Sequence, residues 1–385
     1  MSPAWARAAV VAAQRIPGAG EAGDYRDAAD VLAGIGLIQL DPLTRVSTAQ
    51  RLTSLTRLPR TYRADDVDRS LWPQGEPASF EAFTKVACVF PLSDWPLLQL
   101  RREAIRARHG DKLDASVTGR IRDLVEAHPG GVATGAIEAE FGPERTTGWH
   151  WSQVKKAAEL MVRMGDLVVT ARDGVVRLFD LPERALPTSV REAAHLPPNE
   201  LRAGLARRAA ANLAVMTVAD FAHHYHLSRH DAAFGIELAG LVPVRVQGWR
   251  DTAYALPQTL EEDHQSSTGP AGHARLIGPF DPLLRDRRRA LRIFDFDYTF
   301  EAYVPRAKRL YGHYVMGLLS GTELVGRADV QRTAGTLKVH QVWPETGAPR
   351  CSVDARARAA SRTLASQLGA DVAGSGEDGR PARDA

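Results

Sequence analysis

The sequence predicts an α+β fold, mainly helical, in which small helical modules are repeated and a β-rich domain follows. Three observations predict it. Residues 115–180 run as three amphipathic helices and then two apolar-rich segments around an Arg172-Asp173-Gly174 turn, a hairpin signature. Residues 200–257 repeat that order. From residue 275 the composition shifts to short apolar runs with regular turns, as in a small β-barrel or half-barrel. Three helices followed by a two-stranded wing is the winged helix-turn-helix order, so tandem modules of that type are expected.

Element by element, residues 4–16 read as a helix that Pro17, Gly18 and Gly20 break. Asp24–Ile35 is helical, with Val31, Leu32 and Ile35 on one side, and Gly36 closes it. The chain then changes period at LIQLD. Residues 47–58 are helical with Ser47 as N-cap, and 62–105 hold short helices and turns. A helix ending in Arg101, Arg102, Arg106 and Arg108 carries a basic stripe. These residues form a first domain, 1–112, whose wing is hard to place. The second winged helix spans 113–195, with Ser152 capping its third helix and Gly165 near its end. The third spans 196–258, with Thr217 and Ser228 as N-caps. Residues 258–274 read as a linker and 275–345 as the β-rich domain, with strands at ARLIGPFDPLL, YTFEAYV, HYVMGLL, ELVGRADV and TLKVHQV. A helix at 352–368 and a disordered tail at 371–385 complete the chain.

A chain of 385 residues with 44% hydrophobic content can bury the cores of two or three domains. The formal net charge is +3, which fits a nucleic-acid partner without demanding one. Of the 49 basic residues only Lys85, Lys112, Lys155, Lys156, Lys308 and Lys338 are lysine. Arginine forks suit phosphates and guanine edges, and codon use in a GC-rich genome explains the bias equally well. Two cysteines, Cys88 and Cys351, make neither a disulfide framework nor a CxxC site, so a reducing cytoplasm is expected. The apolar start is too short for a signal peptide, and no run is long enough to span a membrane. No GxSxG elbow or phosphate-binding Gly-Lys loop appears, so a serine triad and nucleotide hydrolysis have no support.

Four groups of residues could carry function. In an extended LIQLD, Ile38 and Leu40 face one way, and Gln39 and Asp41 the other, about 7 Å apart. An amide and a carboxylate so placed can hold a water; the wet face of a half-buried strand has the same pattern. The third helix of the second module puts Lys155, Lys156 and Arg163 near Trp149 and Trp151, as a DNA-recognition helix would. A solvated helix face looks alike. Arg285, Arg287, Arg288 and Arg289 form a run suited to phosphate, or to an ordinary solvated loop. His223, His224, His226 and His230 crowd together without a zinc-type context, so no metal is expected.

GIGLIQLDPL, SFEAFTKVACVFPLSDWPLLQLRR, RLFDLPERALP and IGPFDPLLRDRRRALRIFDFDYTFEAYVPRAKRLYGHYVMGLL resemble the bacterial AlkZ/YcaQ winged-helix DNA glycosylases. The likeness runs from about residue 4 to 343, and FDYTFEAYVPRAKR is its most specific stretch. The resemblance implies tandem winged helices and a β-barrel wrapped as a C around double-stranded DNA. It implies a catalytic pair in Gln39-Leu40-Asp41, the Gln/Asp form of the YcaQ-like branch, which is associated with N7-alkylpurines and interstrand crosslinks. Leu43-Thr44-Arg45 and Ala49-Gln50-Arg51 stand where that family carries an Asn-Val-like pair and an Arg-x-His segment. Together these readings predict a monofunctional glycosylase for alkylated bases, with no cofactor, monomeric and at the cytoplasmic nucleoid. The competing expectation is a non-catalytic DNA-binding regulator.

Overall fold

The computed structural model describes residues 1–17, 25–142, 153–193, 196–264 and 273–373. After α1 (Pro3–Ala13), the chain builds three units of one topology. The first is α2 (Ala28–Ile35), β1 (Ile38–Gln39), α3 (Ala49–Arg57), α4 (Ala64–Leu71), β2 (Ser79–Phe83) and β3 (Ala87–Pro91). Helix α5 (Gln99–His109) leads to the second: α6 (Ala115–Ala127), β4 (Val132–Ala133), α7 (Thr134–Glu140), α8 (Gln153–Met164), β5 (Val168–Asp173) and β6 (Val176–Asp180). Two short helices, α9 (Pro182–Ala185) and α10 (Thr188–Arg191), precede the third: α11 (Pro198–Leu213), β7 (Met216–Thr217), α12 (Val218–Tyr225), α13 (Arg229–Leu238), β8 (Val242–Val244) and β9 (Ala253–Ala255). In each unit the last strand lies between the first and second, giving sheets β1-β3-β2, β4-β6-β5 and β7-β9-β8.

The C-terminal region holds α14 (Pro257–Glu261), β10 (Arg275–Ile277), α15 (Arg287–Phe294), β11 (Val315–Ser320), β12 (Glu323–Thr333), β13 (Thr336–Pro344), α16 (Arg350–Leu368) and β14 (Asp371–Val372). Strands β10 to β14 pair in sequence order as one sheet, and bulges after Leu318 and Asp329 bend it into a half-barrel. Helix α16 fills its concave side, with Val353, Ala357, Ala360 and Leu364 buried.

The first unit's sheet is covered on both faces. Ile38 and Val89 face a core that α2, α3 and α4 share with the half-barrel. Leu37, Phe80, Cys88 and Phe90 face a core shared with α11, α12 and α13. The second unit closes a core of its own around Ile121, Ile137, Ala158, Met161 and Phe179. Buried ion pairs join the parts. Arg57 and Asp281, 224 residues apart, form a fork at 2.7 and 3.1 Å, and Gln14 accepts from the same guanidinium. Glu81 of β2 takes Arg172 at 2.6 Å and Arg177 at 2.9 Å, pinning the second unit to the first.

Several local expectations change. SFEAFTKVACVFP, expected as helices and turns, is the β2–β3 hairpin of the first unit. Both faces of the hairpin are covered, Ser79 and Glu81 included, so no exposed polar face marks it, and Thr84-Lys85-Val86 turns without Gly, Pro or Asn. Thr48, not Ser47, is the N-cap of α3. YTFEAYV is not a strand, because Glu301 accepts hydrogen bonds from three loop N–H groups and folds the segment back. Asp371 and Val372, expected within the disordered tail, pair in parallel with Thr336 and Leu337 as β14. The rest of that tail, from 374, lies outside the described residues, as does Ser152. The caps at Thr217 and Ser228 form as expected. No helix among the described residues is long and apolar enough to cross a membrane.

Candidate active site

The Gln39–Asp41 segment is placed by the turn before it. Gly36 ends α2 at φ +80°, where a Cβ would meet Asn212 of α11 at 1.9 Å. The chain therefore enters β1 tight against the third unit. Ile38 and Gln39 pair with Val89 and Cys88, and Leu40 N–H reaches Ala87 O at 2.9 Å. Ile38 and Leu40 pack on the α2–α4 side. Alternation puts Gln39 on the side of Leu37 and Cys88.

Gln39 is 9% exposed, yet its amide makes no hydrogen bond to the described residues. Asp41 is half-buried, and its Oδ1 accepts the Leu43 N–H at 3.0 Å. Burial raises the Asp41 carboxyl above its ordinary value, and the Leu43 hydrogen bond only partly opposes this. This carboxylate is poised closer to neutral pH than a surface aspartate, and two residues before it stands an amide with unspent donor and acceptor capacity. Such a pair can hold a water and take its proton.

Sequence reasoning did not connect the following groups with this segment. Tyr314, one residue before β11, is fully buried, and its hydroxyl has no partner. Burial pushes its ionisation up first, and the charges of Tyr298 and Asp41 add to that. His313 is held below its ordinary value by lost solvent, then by Arg45 and Arg309. The Arg45 carbonyl accepts from Arg332 N–H at 3.0 Å, so the loop after Asp41 lies along β12. Arg285 acts on Cys88, the residue opposite Gln39. Of these cations Arg45 follows the motif directly, and Arg285 and Arg309 come from distant parts of the chain.

A loop at 302–312 stands beside these groups. The buried Glu301 carboxylate accepts from Leu310, Tyr311 and Gly312 N–H at 2.7 to 3.1 Å, and Arg309 Nε bonds Val304 O at 2.8 Å. The loop is held closed, and it displays Tyr303 at 78% and Leu310 at 80% exposure next to Arg306 and Lys308. Apolar residues flanking the bases in YVPRAKRL were the available signal, but nothing in the sequence marked them as exposed.

The expected DNA-contact residues divide. Lys156 and Arg163 of α8 are exposed and line a cavity of about 860 Å³ between α5, α8 and the third unit. Arg163 also stacks on Phe83 at 4.2 Å. Lys155 is half-buried and engaged. Trp149 and Trp151 lie outside the described residues. The cavity is not lined by Gln39 or Asp41, but it shares the Thr84–Lys85 turn at the end of the strand beside Asp41.

The 285–289 run is not one surface patch, because α15 turns its members different ways. Arg289 is 4% exposed, pairs with Asp220 at 3.0 Å and bonds Leu213 and Val215 carbonyls. Arg287 bonds Pro279 O at 2.8 Å and lies over the Tyr298 ring. Both are turned inward, against the phosphate expectation. Arg288 is exposed and Arg285 half-buried. The basic stripe of α5 is split: Arg101 and Arg102 turn inward, whereas Arg106 and Arg108 stay exposed. Arg101 bonds the carbonyls of Tyr225 and His226, both at 3.1 Å, and Arg102 lies 3.9 Å over Trp95. The histidines separate too, with His223 against Asp286 at 3.3 Å and His224 buried.

Residues 32–370 match the family described as DNA glycosylase AlkZ-like. The chain belongs to this family. It is therefore placed among DNA-repair glycosylases, which bind DNA. Among solved structures, the Streptomyces sahachiroi DNA glycosylase AlkZ is similar over 97% of this chain and 99% of that one, with TM-score 0.65 and 18% identity. At that identity the likeness speaks for a shared AlkZ-like fold, mixed α and β with a curled five-stranded sheet.

Proposed function

We propose that this AlkZ-like protein hydrolyses the N-glycosidic bond of N7-alkylated purines in duplex DNA, and that Gln39 and Asp41 carry the reaction. The observation that carries this reading is a Gln39 amide with no partner among the described residues, two residues before a carboxyl whose proton affinity burial has raised. An N7-alkylguanine bears a positive charge and departs readily as a neutral base. The enzyme must then stabilise an oxocarbenium-like sugar and supply water. Ionised Asp41 offers negative charge near C1′ and takes the proton of the attacking water, and Gln39 orients that water. Oxygen bonds to C1′ as the C1′–N9 bond breaks, leaving free base and an abasic sugar. The motif has no lysine beside it, which favours hydrolysis without strand cleavage.

We read the three helix–strand–helix–helix–strand–strand units as tandem winged helix-turn-helix modules that grip the duplex. Lys156 and Arg163, with Arg288 and the Arg306–Lys308 loop, are positioned for phosphate. Asp41 is only half-buried, which suits a site that reaches a base without drawing it into a deep pocket. Crosslinks through purine N7 belong to the same substrate class on that ground. The test is incubation with a duplex carrying one N7-methylguanine. Release of 7-methylguanine with an intact strand is expected. No release alongside salt-sensitive DNA retention would leave a non-catalytic DNA-binding protein.

A further inference from the structure

We propose that the cavity between α5, α8 and α13 is a binding site for an amphipathic organic anion, a small molecule with a flat or chain-like apolar body and one acidic group. This goes beyond the glycosylase reading and does not depend on it. The cavity measures about 860 Å³, within the ~300–1,000 Å³ range of small-molecule sites. All three units build it. Helix α5 contributes Leu100, Ala104 and Ile105, α8 contributes Leu160, and the third unit contributes Leu205 and Leu227. These aliphatic side chains form one floor, and α5 buries none of its own residues although it runs between two units. An apolar floor left open on a protein of this size calls for an apolar occupant.

The rim gives that occupant its charge. Lys85, Arg108 and Lys156 are exposed at the mouth and have no ion-pair partner among the described residues. The acids there are already committed: Glu159 is buried against Arg177, and Asp231 is held by Ser228 and Arg202. Free charge at the mouth is thus positive. Lys156 is also one of the phosphate contacts proposed above, but a DNA backbone meeting it there leaves the aliphatic floor wet, whereas an anion with a hydrocarbon body satisfies both rim and floor.

The test titrates the full chain with 1-anilinonaphthalene-8-sulfonate and reads the fluorescence rise, with the uncharged N-phenyl-1-naphthylamine in parallel. One saturable site with Kd on the order of 10 µM is expected for the sulfonate. The uncharged probe should bind at least about tenfold more weakly, because it forgoes the rim. Leu160→Asp and Ile105→Asp should each weaken the sulfonate at least about tenfold by placing a carboxylate in the floor. Lys156→Glu, at an exposed position that disturbs no fold contact, should weaken it about fivefold and reduce its salt dependence. Equal affinity for the two probes, no saturation, or an unchanged Kd in variants with wild-type circular dichroism overturns the proposal. If either floor variant fails to fold, the probe pair and Lys156→Glu decide alone.

Discussion

Replacing Asp41 by Asn isolates the chemistry from the fold. The two side chains are nearly isosteric, and Asn keeps an oxygen to accept the Leu43 N–H now held at 3.0 Å. What disappears is the negative charge and the capacity to take a proton. Removing a positioned general base costs about 10²–10⁴ in rate. At about 1.36 kcal/mol per tenfold this is roughly 3–5.5 kcal/mol of transition-state stabilisation. Stability should move the other way. Burial raises the Asp41 pKa in the folded state, so the folded protein holds that proton more tightly than the unfolded chain. Ionised Asp41 therefore costs stability as pH rises from the unfolded pKa through the folded one, and at neutral pH Asn removes the cost. The Tm of the variant should equal or exceed that of wild type.

The assay is single-turnover release of 7-methylguanine, with duplex affinity measured separately. In wild type the acid limb of the pH profile should lie above about 3.9, the ordinary aspartate value, because only ionised Asp41 works as base. In Asp41→Asn that limb should vanish and duplex affinity should stay within about twofold, since no phosphate contact is lost. A variant within about threefold of the wild-type rate would refute the assignment of the base, because no general-base role is worth so little.

Other predictions follow from the same geometry. Gln39→Ala should lower base release about 10- to 100-fold, the worth of one hydrogen bond to a charged or developing-charge partner, with little change in Tm because the amide holds nothing in the fold. Arg57→Ala should destabilise by about 3–5 kcal/mol in urea unfolding, because Asp281 is left charged and buried. Lys156→Ala should flatten the slope of log affinity against log salt by about one, measured by anisotropy on undamaged duplex, and leave the rate at saturating DNA unchanged. Tyr314→Phe deletes a buried hydroxyl without a partner, so thermal melting should show equal or greater stability.

Much of the repeated architecture could be read from the sequence where local chemistry was decisive. Thr217 and Ser228 cap their helices through side chains three residues from the bonded amides. Gly174, at φ +57°, makes the β5–β6 turn that Arg-Asp-Gly announced. The first unit's wing stayed hidden because both faces of β2–β3 are buried, which erases the two-residue period. The site was half legible. Strand alternation suggested one face for Gln39 and Asp41; the ladder itself covers only Ile38 and Gln39, and Asp41 follows just past it. Tyr314 could not be found this way, and Arg285 could not be tied to the motif, because the third dimension brings them in from remote segments. The arginine run failed for the same reason: the partner that turns Arg289 inward, Asp220, lies 69 residues away.

The Arg57–Asp281 fork has a consequence for synthesis. The motif emerges from the ribosome long before Asp281, which lies 224 residues beyond the Arg57 it anchors on the neighbouring helix, and before the half-barrel that completes its surroundings. A nascent chain thus presents an unfinished blade, and excision competence should arrive only when translation is nearly over.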